Sequence, residues 1–158
     1  MLVTRPMHQR KTAVDPVRLA TLLGYAQADA KATGLSVPGP ATPEALVDFM
    51  AHAGEHLFLP GDPNLDSQKR NVAIQVFLAF EIPAIVAFGK AWLQRWQQNS
   101  HTSWHQELAE IFERADPADL SDILLSHDQE SVRQRSSMPF AEMLEFDVVL
   151  GIKRKWRR

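Results

Sequence analysis

Apolar positions recur along this chain at spacings of three and four. Alternation of period two is confined to fragments such as "LFLP" (57–60) and "DVVLGI" (147–152). Spacing of three and four puts side chains on one face of an α-helix, because successive residues turn by about 100°. Leu19, Leu22, Leu23 and Ala26 form a first stripe, and Leu46, Phe49, Met50, Ala53 and Leu57 a second. The stretch "VAIQVFLAFEIPAIVAF" (72–88) is apolar nearly all round, the mark of a buried helix. Pro83 clashes with a helical carbonyl four residues earlier, so one helix is expected from about Ser67 to Phe80, a break near Glu81–Pro83, and another helix to about Gln98. Further stripes follow: Trp104, Leu108, Ile111 and Phe112; Leu120, Ile123 and Leu124; and, in a last helix opened by Pro139, Phe140, Met143, Leu144 and Val148.

The punctuation agrees with the stripes. Asp15-Pro16, Thr42-Pro43 and Asp116-Pro117 each place a capping side chain before a proline that has no N–H to leave unsatisfied. Ser103 and Gln106 have the spacing of a capping box, and Gly34 suits a helix C-terminus. The expected fold is all-α: a single-domain bundle of six to eight helices around a central apolar helix pair. Its core is drawn from Leu19, Leu22, Leu23, Leu46, Phe49, Met50, Val76, Phe77, Phe80, Ile85, Phe88, Trp92, Leu108, Ile111 and Phe112. A chain of 158 residues suits one such core.

Charge divides the chain. Residues 1–12 carry three basic groups and 151–158 carry five, with no acid in either segment; the residues between hold nine basic and nineteen acidic groups. This predicts a basic N-terminal arm (1–13), an acidic helical domain (14–150) and a basic C-terminal tail (151–158). Cysteine is absent, which removes disulfides, thiolate nucleophiles and Cys-ligated metals, and fits a cytoplasmic location. The 17-residue apolar run carries Gln75, Glu81 and Pro83, so it is expected in a core and not in a membrane.

Candidate chemistry is sparse. "HAGEH" (52–56) resembles, in spacing alone, the His-x-x-Glu-His that one family of zinc peptidases carries on a helix. On a helical wheel, however, His52 and His56 flank the Leu46 stripe and Glu55 points away from it. "HTSWH" places His101 and His105 four apart, but Ser103 is read as the helix cap, which puts His101 before the helix. No metal, cofactor or catalytic residue is therefore assigned. Glu81, between apolar segments, is either a carboxyl with a raised pKa or the cap of the helix restarting at Pro83; the cap is the better reading. Trp92 and Trp96, with Arg95, form a helical stripe that belongs to the core or to an interface. Arg133 and Arg135, beside Ser136 and Ser137, have the composition of an anion site and also of an ordinary polar helix and loop. In the tail, Lys153, Arg154, Lys155, Arg157 and Arg158 surround Trp156, a composition suited to weak nucleic-acid or anion contact. The expectation is a non-enzymatic regulatory or adaptor protein whose partner is another protein or a second copy of itself. The alternatives are a nucleic-acid-associated protein using its basic ends and a zinc hydrolase using "HAGEH".

Overall fold

The computed structural model describes residues 15–57, 63–97 and 103–155. Among them there is no strand. Eight α-helices follow in order: α1 (Pro16–Thr33), α2 (Pro43–Leu57), α3 (Pro63–Ala79), α4 (Ile82–Gln97), α5 (Ser103–Arg114), α6 (Pro117–Leu125), α7 (Gln129–Arg135) and, after a 3-10 turn at Phe140–Met143, α8 (Phe146–Lys155).

The caps operate as the sequence demands. Asp15 Oδ1 accepts from Val17 N at 2.7 Å, Thr42 Oγ1 from Ala45 N at 3.1 Å, and Asp116 Oδ1 from Ala118 N at 2.8 Å. Gly34 ends α1 at φ 79°, a left-handed conformation that costs a residue with a Cβ energy. The side chain of Ser103, from the expected capping box, lies outside the described residues. Pro83 divides the apolar run: Phe80 N is the last to bond back into α3, and Ala84 N and Ile85 N both donate to Glu81 O. Helix α3 begins at Pro63, earlier than the expected Ser67.

The C-terminal third differs from expectation. Pro139 opens a 3-10 turn and not the last α-helix; Leu144 is extended, and α8 starts afresh with Val148 N and Val149 N donating to Glu145 O. The tighter turn lets Phe140, Met143 and Leu144 all reach the core before the chain is redirected. The polar stretch before it forms α7. Asp128 caps this helix, accepting from Ser131 N at 2.8 Å.

The two halves of the apolar run are not equivalent. Helix α3 is the hub, packing against α1, α2, α6, α7, the 3-10 turn and α8. Helix α4 is shared. Its Ile85 and Phe88 join the main core with Leu22, Leu46, Met50, Val76 and Phe80. Its Val86, Trp92 and Leu93 build a second cluster with Leu108, Ile111, Phe112, Leu120 and Ile123. Gly89 lets α4 and α5 approach closely, because a Cβ there would overlap the ring of Phe112. Of the expected core, Leu19 and Leu23 are only half-buried; the others are buried.

Two arginines are buried with the apolar side chains. Arg70, 1 % exposed, reaches Asp29, 0 % exposed, through two bonds of 2.8 and 2.9 Å, and also donates to Leu125 O. Arg135 Nη1 donates to Ile123 O at 2.9 Å and Ser126 O at 2.7 Å. The last carbonyls of a helix have no partner within it and carry the negative end of its dipole. Arginines from α3 and α7 thus cap the end of α6. His127 Nδ1 lies 3.0 Å from Asp29 Oδ1 and completes the cluster at its half-exposed edge.

Candidate functional site

The histidine pair on α2 is exposed. The rings of His52 and His56 meet edge to face at 5.3 Å, and His52 Nδ1 lies 3.3 Å from Glu55 Oε2. The buried arc of α2 extends beyond the expected stripe to Val47, Ala51 and Gly54. It therefore leaves Glu55 half-buried, and the outward pole falls on Asp48, His52 and His56. No group of three or more His, Asp or Glu among the described residues is arranged to hold a metal ion. His101 and the side chain of His105 lie outside the described residues. Glu81 is exposed, with Arg18 at 3.4 Å; its carbonyl starts α4, so it occupies the cap position and not a buried acid's.

Trp92, 9 % exposed, is a side chain of the second cluster and not of an open interface. Arg95 is exposed, 3.8 Å from Glu142, and the side chain of Trp96 lies outside the described residues. The arginine pair, with the composition of an anion site or of a polar helix, lies on the polar helix α7 and is engaged within the protein. Arg133 Nη1 and Nη2 bond Glu107 on α5 at 3.1 and 2.6 Å, and its Nε bonds Glu130 at 3.1 Å; Arg135 is buried under α6. The Arg133 hydrogen bonds hold the carboxyls of Glu107 and Glu130 below their ordinary range, and raise the guanidinium's own pKa.

The basic tail is helical where it is described. Helix α8 runs through Lys153, Arg154 and Lys155, and Ile152 is 8 % exposed in the main core. Trp156, Arg157 and Arg158 lie outside the described residues, as do the side chains of Lys153, Arg154 and Lys155 and the N-terminal arm. The described residues contain no helix long and apolar enough to cross a membrane.

Among the described residues are three concavities. A groove of about 380 Å³ between α4 and the α5–α6 junction is lined by Ile82, Val86, Ala87, Lys90 and Pro117. A polar one of about 260 Å³ gathers Asp119, Asp122, Asp128 and Glu130 near Arg114. Beside it, the hydroxyl of Tyr25 donates to Asp122 Oδ1. Burial, then that bond and the nearby negative charge, raise the phenol above its ordinary value.

The third is a cleft of about 390 Å³ between α3, the connection from α7 to the 3-10 turn, and α8. Val72, Met138, Phe140 and Val149 give it apolar walls; Lys69 and Arg135 also line it, but Arg135 turns its guanidinium to the carbonyls of α6 and leaves Lys69 as the charge the cleft presents. Lys69 Nζ donates to Ser136 O at 2.9 Å. An ammonium has three donors and this bond uses one. No acid lines the cleft among the described residues. The sequence left Arg135 between an anion site and a polar helix and gave no sign of the cleft, because its walls come from three separated segments with no common motif.

No protein-family model matches the chain. No curated protein and no solved structure matches it either.

Proposed function

We propose that this chain is a non-enzymatic regulatory or adaptor protein of the cytoplasm that acts by binding another protein. The observation that carries the reading is the apolar cleft beside α8. It is walled by side chains from α3, the α7 connection and α8, and the charge it presents is the Lys69 ammonium, on a body whose balance is acidic. Apolar walls with a few placed charges suit a partner's side chains, which contribute both burial and orientation. The buried charged groups Asp29, Arg70 and Arg135 support the same reading, since each joins helices and so keeps the surface of the bundle fixed for docking.

The test is recovery of partners by the tagged full-length chain from its native cells, with equilibrium sedimentation of the purified protein. A stoichiometric protein partner or a defined homodimer is expected. A monomer that retains no protein overturns the proposal. Stoichiometric zinc in untagged protein, lost in His52→Ala, would favour the hydrolase reading instead.

A further inference from the structure

Resting on that protein-binding reading, we infer that the cleft between α3 and α8 takes an acidic, amphipathic segment of the partner, with apolar side chains against Met138 and Val149 and carboxylates toward Lys69. Charge complementarity carries the inference. The domain between the two basic ends holds nineteen acidic and nine basic groups, yet no acid lines the cleft among the described residues and the charge it presents is the ammonium of Lys69. An arrangement so unlike the average of the body selects for negative charge in whatever fills it. Lys69 is suited to receive a carboxylate, since one backbone carbonyl occupies only one of its three donors.

A segment of polypeptide supplies both apolar side chains for the cleft walls and carboxylates for Lys69. Nucleic acid would satisfy the ammonium but not the aliphatic walls, and the one aromatic ring there, Phe140, is buried and offers no face for stacking.

The probe is a fluorescein-labelled amphipathic peptide with Leu and Phe on one face and Glu on the other. Its control has Lys in place of Glu. Both are titrated with the full-length chain by fluorescence anisotropy. The Glu peptide is expected to bind and the Lys peptide not to. Lys69→Glu should weaken binding about tenfold or more, as should Ala141→Trp, which blocks the cleft from an exposed wall position. Circular dichroism confirms that each variant is folded; should Lys69→Glu lose structure with its bond to Ser136, Ala141→Trp decides. Equal binding of the two peptides, binding indifferent to both variants, or no binding at all overturns the inference. So does displacement of the Glu peptide by a single-stranded oligonucleotide or by phosphatidylserine vesicles. A native partner retained equally by wild type, Lys69→Glu and Ala141→Trp sinks the cleft and leaves the protein-binding reading standing. The absence of both partner and peptide binding sinks both.

Discussion

Asp29 is enclosed between the guanidinium of Arg70 and the imidazole of His127, with no exposed surface of its own. A buried ion pair adds little over well-packed apolar residues, but breaking it strands a charge away from water. Asp29→Ala should therefore cost about 3–5 kcal/mol in urea unfolding. Pairing Asp29→Leu with Arg70→Met should cost much less than the sum of the two single changes; additive losses would contradict the account. Gly89 is a steric counterpart. Gly89→Ala pushes a methyl into the buried Phe112 ring and should cost about 1–3 kcal/mol, while Gly24→Ala, in open space on α1, should not destabilise. Tyr25 supplies a third readout, since it is the only tyrosine in the chain. Its raised pKa contributes stability that is present below the ordinary value of about 10 and lost as pH rises through the folded value. Tyrosinate absorbance should stay absent past pH 10 in the folded protein and appear at lower pH in Asp122→Asn; ordinary titration of the wild type would refute the contact.

Helix α7 shows how a short element is kept in place. Seven residues are too few for a stable helix in isolation, so its ends must be held by other groups. Asp128 holds the N-terminus. Burial alone would raise its pKa, but hydrogen bonds from Ser126 and Ser131 outweigh this and lower it. Arg133 ties the exposed face to Glu107 on α5 and to Glu130 within the helix. All three carboxyls are shifted down, so their contribution is present above the unfolded values near 4 and disappears as pH falls through the lower folded values. Thermal unfolding followed by circular dichroism should show a falling Tm as pH drops below about 4. Asp128→Asn with Glu107→Gln should flatten that dependence. A Tm as acid-sensitive in the double variant as in the wild type would show that other carboxylates are responsible.

At the scale of the molecule, the C-terminal helix belongs to the body. Ending the chain at Leu150 would remove Ile152, a buried member of the main core, along with the last turn of α8. Burying such a side chain is worth about 1.5–3 kcal/mol, so the truncated chain should unfold at distinctly lower urea concentration than Lys153→Gln/Arg154→Gln/Lys155→Gln, which keeps Ile152. Equal stability of the two would mean that the packing of α8 is immaterial. The charge-neutralised variant, not the truncation, is then the proper material for asking whether the basic end contacts an oligonucleotide, since it changes charge and spares the core. A cationic end on a packed helix also stays within about a Debye length of the acidic body, where the body's charge opposes phosphate.

Much of the architecture follows from local rules, and these act within a few residues. Spacing of three and four requires helices; Asp15, Thr42 and Asp116 accept from N–H groups in their own first turns; and Pro83 splits the apolar run by a clash four residues back. The second cluster was only partly legible, because whether Trp92 faces a core or a partner depends on where α5 and α6 dock, and periodicity cannot say. The short 3-10 turn after Pro139 was not legible. Its helical spacing is the same as that of an α-helix start, and only the need to bury Phe140, Met143 and Leu144 against α3 selects the tighter form. Long-range charge was the least legible. Arg70 meets Asp29 across forty-one residues, and Arg135 turns inward to cap a helix although its neighbours are polar. The cleft is decided in the same way, by three segments brought together from across the chain. The sequence by itself determined where helices begin and end, because caps and prolines act on adjacent backbone. Only the tertiary structure decided which charges are buried and which surfaces stay open, because burial depends on what the rest of the chain places alongside.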